Sequence, residues 1–298
     1  MNRSALLSTV LWMLLSLFSF CFAEQSTGNK NISPEDNKYS NWVFSGMVKN
    51  EAGDEFGYSF QLQRENTHFQ ASARVIDAQS NQILLFEEST ATIKNPDKFK
   101  WEVGRAFLTF NPINESWVFG VKVKQQKGFN FKVDMLNQQG SMVSAQQLRP
   151  GVALMVNQTG RINGHLHLGK DRKETFVTAN NTWYRQVWLT KHQSERYPFS
   201  SLLCRFNDGS GLYSINMKRE DAYHGAIAAL CDAKGVTSPM SQFVDIQEDQ
   251  HHSLKVHIPT PIMDFEITDS LNASNILAGF ILKGAKHGFC VLSKDNLG

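Results

Sequence analysis

Apolar and polar residues alternate with a period of two along most of this chain. Phe56, Tyr58, Phe60 and Leu62 are interleaved with Gly57, Ser59, Gln61 and Gln63. The same alternation carries Trp117, Phe119, Val121 and Val123, then Phe129, Phe131, Val133 and Met135. It returns in Leu254, Val256 and Ile258 and in Met263, Phe265 and Ile267. Side chains on a strand point to opposite faces in turn, so each run predicts a strand with one buried and one wet face. Strands of this kind belong to antiparallel sheets, because parallel sheets bury both faces.

Short turn signals separate the runs: Ala52-Gly53-Asp54, Asn95-Pro96-Asp97, Gln139-Gly140, Asn207-Asp208-Gly209, Lys234-Gly235 and Lys283-Gly284. No long amphipathic helix stands out. About eighteen to twenty strands are expected, too many for one eight-stranded barrel. From Phe199 onward eight follow one another, at 199–206, 212–219, 224–231, 242–247, 253–258, 263–268, 276–283 and 287–293. They predict an up-and-down barrel of lipocalin type, wide enough for one small ligand. The expected fold is all-β, two lipocalin-like units in tandem, at 41–190 and 191–298.

The N-terminus predicts export. Arg3 is followed by a nearly uncharged apolar run from Ala5 to Phe22, and Cys21 and Ala23 are small residues at the positions a signal peptidase reads. Cleavage is expected after Ala23, with 24–40 as a polar linker and no stable membrane anchor. An uncleaved anchor is the alternative, since the run is nearly long enough to span a bilayer. The expected location is periplasmic or secreted.

Charge and composition remove other classes. Thirty Lys and Arg against 28 Asp and Glu leave a net charge of +2 with no basic cluster, so nucleic acid is not an expected partner. No GxGxxG or P-loop sequence occurs, and no cofactor is expected. Gly209-Ser210-Gly211 lies in a hairpin turn and is not a nucleophile elbow. His165-Leu166-His167 puts two imidazoles on one strand face, but two ligands do not make a metal site, and no metal is expected. His251-His252 point to opposite faces. Sequons at Asn31, Asn114, Asn157, Asn180 and Asn272 matter only in a glycosylating host.

After the leader, Cys204, Cys231 and Cys290 remain. In a meander the strands of Cys204 and Cys231 are separated by a third, about 9–10 Å apart, too far for a disulfide. Closure of the barrel makes the strands of Cys204 and Cys290 neighbours. Any disulfide is therefore expected between Cys204 and Cys290 with Cys231 free; three reduced thiols are the alternative.

The segment VTANNTWYRQVWLTKH, followed by LLCRFNDGSGLYSINMKRE, resembles the carotenoid 1,2-hydratase (hydroxyneurosporene synthase) family and the related AttH-like secreted proteins. That family shows a Trp-x-Asp-Arg-Glu-Trp box, an aromatic strand and an Asp-Gly turn. Trp183 and Trp188 match the box tryptophans and Asp208-Gly209 the turn. Asn41-Trp42 with Phe56-Gly57-Tyr58, Ala71 to Asp77, His257-Ile258-Pro259 and Ala278-Gly279 to Phe289 resemble its other segments. The resemblance implies two lipocalin-like β-units. It also exposes departures: the box Asp and Glu fall at Arg185 and Val187 (its Arg at Gln186), the early His at Ser72 and the late Glu at Val291. Hydration of a double bond needs an acid and a base, and an arginine does not release its proton near neutral pH.

The function expected from these residues is binding of an apolar or amphipathic small molecule, a lipid or a polyene. Tyr58, Phe60, Trp183, Trp188 and Tyr213 are the candidate lining, with Arg185 as anchor for an acidic head group. Trp183 and Trp188 are five residues apart, so both turn inward only if a bulge lies between them. No catalytic residue is assigned. The alternatives are a hydratase or hydrolase acting on a lipid-like or carotenoid-like substrate, and an accessory partner of an envelope protein complex.

Overall fold

A computed structural model of the chain describes residues 38–123, 127–135, 145–169, 174–191, 197–219, 222–240, 244–248, 253–268 and 276–297. Residues 1–37, where the signal sequence and most of the linker are expected, lie outside the described residues, as do His251 and His252. Every regular element among the described residues is a strand.

The first sheet begins with β1 (Tyr39–Asn50), β2 (Glu55–Glu65), β3 (His68–Asp77) and β4 (Ile83–Thr92). It continues through β5 (Lys100–Val103), β6 (Ala106–Asn111), β7 (Ser116–Val121) and β8 (Gly128–Asp134). Five further strands complete it: β9 (Gln146–Arg149), β10 (Val152–Gln158), β11 (Ile162–His167), β12 (Thr175–Ala179) and β13 (Trp183–Leu189). The main path runs β4-β3-β2-β1-β12-β11-β8-β7-β6-β5, and its two edges, β4 and β5, come into contact, so the barrel is nearly closed. β1 is long enough to split its partners. Its end pairs β12 through Lys49 and Asn50, while Ser40 to Ser45 pair β13, which carries β10 and β9 as a side branch.

The second sheet contains β14 (Tyr197–Phe206), β15 (Gly211–Arg219), β16 (Ala222–Cys231), β17 (Thr237–Pro239) and β18 (Asp245–Glu248). It closes with β19 (Ser253–Pro259), β20 (Ile262–Thr268), β21 (Ile276–Gly284) and β22 (Gly288–Leu297). Its order is β17-β16-β15-β14-β22-β21-β20-β19-β18. β14 and β22, the first and last strands, are neighbours, the adjacency expected of barrel closure. The free edges fall at β17 and β18, so this unit is a half-barrel rather than a closed one. β17 is a three-residue exposed strand absent from the sequence-based expectation, and Pro239 at its end cannot donate to a further ladder.

Cys204 and Cys290 stand opposite each other on β14 and β22, with Cα atoms 4.1 Å apart, and form a disulfide; Cys231 is free and buried. A disulfide is compatible with export. His165 is exposed and Leu166 buried, as the alternation predicts.

Each sheet encloses its own core. Trp42, Phe44, Tyr58, Phe60, Phe119 and Phe131 fill the first barrel, and Leu202, Phe206, Leu254, Val256, Phe265 and Leu292 the second. A third core lies between the barrels, where Val43, Val156, Trp183 and Val187 meet Phe199, Leu203, Tyr213 and Ile215. Ile76 extends this seam by packing on Ile276, Ala278, Phe289 and Val291. β1 is therefore buried on both faces over most of its length, and so is β13. Gly57 sits where the seam is tightest: a Cβ there would lie 2.4 Å from the ring of Phe289.

Candidate functional site

The candidate site is built on the seam face of β13. No bulge interrupts that strand against β1 or β10. Trp183, Arg185 and Val187 consequently face the seam, and Tyr184, Gln186 and Trp188 face the first barrel. Both tryptophans are buried, but on opposite faces. Trp183 donates its indole N–H to the carbonyl of Cys204 at 2.7 Å and meets the Tyr213 ring edge-on, at 5.8 Å between centroids. Gly211 leaves the space for it, since a Cβ there would lie 2.8 Å from the indole. Tyr58 and Phe60 point into the first barrel, where Tyr58 hydrogen-bonds Thr182. The six sequence-derived candidates thus divide. Trp183, Arg185 and Tyr213 share the seam; Tyr58, Phe60 and Trp188 line the first barrel.

Arg185 is fully buried. Its Nη2 donates to Ser293 Oγ at 3.0 Å, and its guanidinium lies over the ring of Phe199, 5.2 Å from the centroid. Its Nε and Nη1 find no acceptor among the described residues. Burial lowers its pKa to about 10, opposed by the charge of Asp295 and by Tyr39 and Tyr184, so it stays charged at neutral pH. Asp295 is engaged elsewhere: it accepts from the hydroxyl of Tyr39 and from Asn41 Nδ2 at 3.1 Å. Burial, reinforced by Asp295, pushes the Tyr39 phenol well above its ordinary range and keeps it protonated. Tyr39, Asn41 and Asp295 give no individual signal in the sequence, because they become neighbours only when β22 docks on β1.

Register places Arg185, Val43, Gln61 and Ser72 in one row across β13, β1, β2 and β3. Val187 is two residues from Arg185 on the same face, and Val291 lies opposite, two residues before Ser293. Four of the five departures from the hydratase pattern, Ser72, Arg185, Val187 and Val291, therefore face the one seam, and the fifth, Gln186, faces the first barrel. The hydroxyls of Ser45, Ser59, Ser72 and Ser201 are buried there without a partner among the described residues.

A cleft of about 510 Å³ opens beside this layer. Phe199 and Asp295, paired across β14 and β22 and both neighbours of Arg185, are part of its lining, with Ser200, Asn216, Lys218 and Lys294 on the alternate positions of the same strands. Lys294 pairs with Glu248, and Lys218 lies over the ring of Tyr223. Two lysines and the ring of Phe199 in this lining, with the guanidinium of Arg185 buried behind Phe199, suit an anionic head group with an apolar body. Among the described residues no cluster of His, Cys, Asp or Glu is arranged to hold a metal ion.

Two barrel-like sheets joined along a buried seam define a lipocalin-like tandem fold. Solved structures share it. An AttH-like protein from Nitrosomonas europaea superposes with a TM-score of 0.60 at 12% identity, covering 87% of this chain and 93% of its own. Kievitone hydratase from Nectria haematococca superposes with a TM-score of 0.59 at 11% identity, covering 89% of this chain and 94% of its own. No protein-family model matches the sequence, and no curated protein matches it.

Proposed function

We propose that this chain is an exported lipocalin-like protein that binds an anionic amphipathic small molecule at the seam, with Arg185 as the head-group anchor. The observation that carries the reading is the buried guanidinium whose Nε and Nη1 have no acceptor among the described residues. A charged group held away from water without its hydrogen bonds is costly, and a carboxylate or phosphate reaching the seam beside Arg185 would satisfy both donors. Lys218 and Lys294 favour the approach of such a ligand. The hydratase positions at the seam hold Ser72, Arg185, Val187 and Val291, none of which serves as an acid or base at neutral pH.

The test compares oleate with oleyl alcohol by calorimetry on the mature protein. Loss of two charge-assisted hydrogen bonds in Arg185→Ala should weaken oleate by about 1.5–3 kcal/mol and leave the alcohol unaffected. Equal weakening of both ligands would remove Arg185 from the anchor role.

A second reading rests on the Tyr39–Asp295 pair beside the cleft. A phenol hydrogen-bonded to a carboxylate can serve as an acid–base couple for adding water to a double bond. Kievitone, named by one of the fold's neighbours, is the first substrate to try; gain of one water, abolished in Asp295→Asn, would favour catalysis over simple binding.

A further inference from the structure

We propose that Glu248 is a built-in competitor for anions at the cleft beside Phe199, and that it selects a phosphate monoester head group over a carboxylate. The inference rests on the reading of this cleft as part of a site for an anionic amphipath, and it narrows the head group that reading allows.

Alternation decides which face of the second sheet each lining residue occupies. Leu202 and Leu292, paired across β14 and β22, belong to the core of the half-barrel. Ser200 and Lys294 are the next pair on the same face, and Asn216 stands opposite Ser200 on β15. Lys218 follows two residues further along β15. These four members of the cleft lining therefore stand at the rim of the concave face of the half-barrel. Glu248 reaches the same rim from the far side of the sheet. It is opposite the buried Leu254 on the β18–β19 ladder, so it shares the concave face. Its carboxylate pairs with the ammonium of Lys294. In the sheet β18 and β22 are separated by β19, β20 and β21, so the pair spans the concavity.

The charges at the rim then set the selectivity. Lys218 and Lys294 bring two positive charges, while Asp295 in the lining and Glu248 on Lys294 bring two negative ones. Asp295 is held in place, because Tyr39 and Asn41 donate to it. Glu248 belongs to a four-residue strand at a free edge of the sheet. Its side chain is 31% exposed and that of Lys294 49%, so the pair is open to solvent and to a ligand, and ion pairs of this kind are weak. A carboxylate arriving at Lys294 replaces one single charge by another and leaves the electrostatic energy of the rim nearly unchanged. A phosphate monoester brings about −1.5 to −2 charges at neutral pH and three acceptor oxygens. It therefore gains more at the two lysines than the displaced carboxylate gave at one. The hydroxyl of Ser200 and the amide of Asn216, in the same lining, supply donors for the remaining oxygens.

The test measures dodecyl phosphate, dodecanoate and 1-dodecanol by calorimetry on the mature protein at low ionic strength. Wild type should bind dodecyl phosphate about fivefold or more tightly than dodecanoate. Glu248→Gln keeps the shape of the side chain and removes its charge. It should tighten dodecanoate about two- to fivefold and leave 1-dodecanol unchanged. Lys294→Gln should weaken both anions, and adding Glu248→Gln to it should change nothing further. If Glu248→Gln leaves dodecanoate unchanged while Arg185→Ala weakens it, the competitor role is overturned and the seam reading stands. If neither anion binds wild type or Glu248→Gln, both are overturned. Tighter 1-dodecanol binding in Glu248→Gln would trace the effect to a loosened edge strand and overturn the charge argument. Inorganic phosphate bound as tightly as dodecyl phosphate would assign the rim to the free ion and overturn an amphipathic occupant.

Discussion

The indole N–H of Trp183 donates to the backbone carbonyl of Cys204, so the last strand of the first barrel is tied to the residue that carries the disulfide of the second. The bond lies in the buried seam and joins residues from two different sheets. Its loss in Trp183→Phe, which keeps most of the ring volume, should lower stability by about 1–3 kcal/mol. Trp183→Ala adds a cavity and should cost about 3–5 kcal/mol. Denaturant titration of both variants gives the two values, and near-equal values would mean the hydrogen bond contributes nothing separate from packing.

The disulfide closes a stretch with a sequence separation of 86. Restricting so long a loop in the unfolded chain stabilises the fold by roughly 2–4 kcal/mol. Cys204→Ala with Cys290→Ala should lower the denaturation midpoint accordingly, and wild type with reductant should reproduce the shift. Non-reducing peptide mapping should find the Cys204–Cys290 pair and an unmodified Cys231.

Gly57→Ala should destabilise the protein by about 1–3 kcal/mol, the usual consequence of forcing a methyl group into a filled core. The added Cβ meets the buried ring of Phe289, which is held by Ile76, Ile276, Ala278 and Val291. Gly57→Ala combined with Phe289→Leu should recover part of the loss, and a double-mutant cycle measures how much. Additive effects would show that Gly57 is not needed for the approach of Phe289.

The Asp208 turn should fail in acid. Against the upward pull of partial burial, hydrogen bonds from Lys286 and Ser210 hold the carboxyl at about 2, below the unfolded value. A group whose folded pKa is depressed stabilises the fold above its unfolded pKa, and that contribution disappears as pH falls from about 4 to about 2. Half-exposure and solvent screening limit it to about 1 kcal/mol or less. Wild type and Asp208→Asn should therefore differ in stability at pH 6 and converge near about pH 2. A gap independent of pH would assign the effect to the neutral hydrogen bonds of the turn.

Strand identity and the meander of the second unit were legible because those strands have one wet face. Phe129 to Val133 and Leu254 to Ile258 show their alternation, and the pairing of Cys204 with Cys290 follows once the first and last strands of the unit are neighbours in matching register. β1 and β13 hid their roles. With both faces buried, Ser40-Asn41-Trp42-Val43-Phe44-Ser45 and Trp183 to Trp188 do not alternate between wet and dry. A buried Arg185 or Gln186 reads in sequence like an exposed one, since such residues are mostly found at the surface. The division of the six candidates between two enclosures was likewise invisible. It depends on which side of each sheet meets the other, and only docking decides that. The opening between β17 and β18 depends on a three-residue strand too short to leave a pattern.

The unbroken register of β13 has a consequence for how this protein can change over generations. Odd-numbered positions from Trp183 to Val187 belong to one enclosure and even-numbered positions from Tyr184 to Trp188 to the other. Loss or gain of one residue within the strand would exchange the two sets and deliver Arg185 into an aromatic interior and Trp188 into the seam. Lineages carrying this architecture can therefore retune either enclosure by replacing side chains one at a time. Changes of length should be confined to the connecting turns, and a natural variant with a one-residue deletion between 183 and 188 should be found only where both enclosures have been rebuilt together.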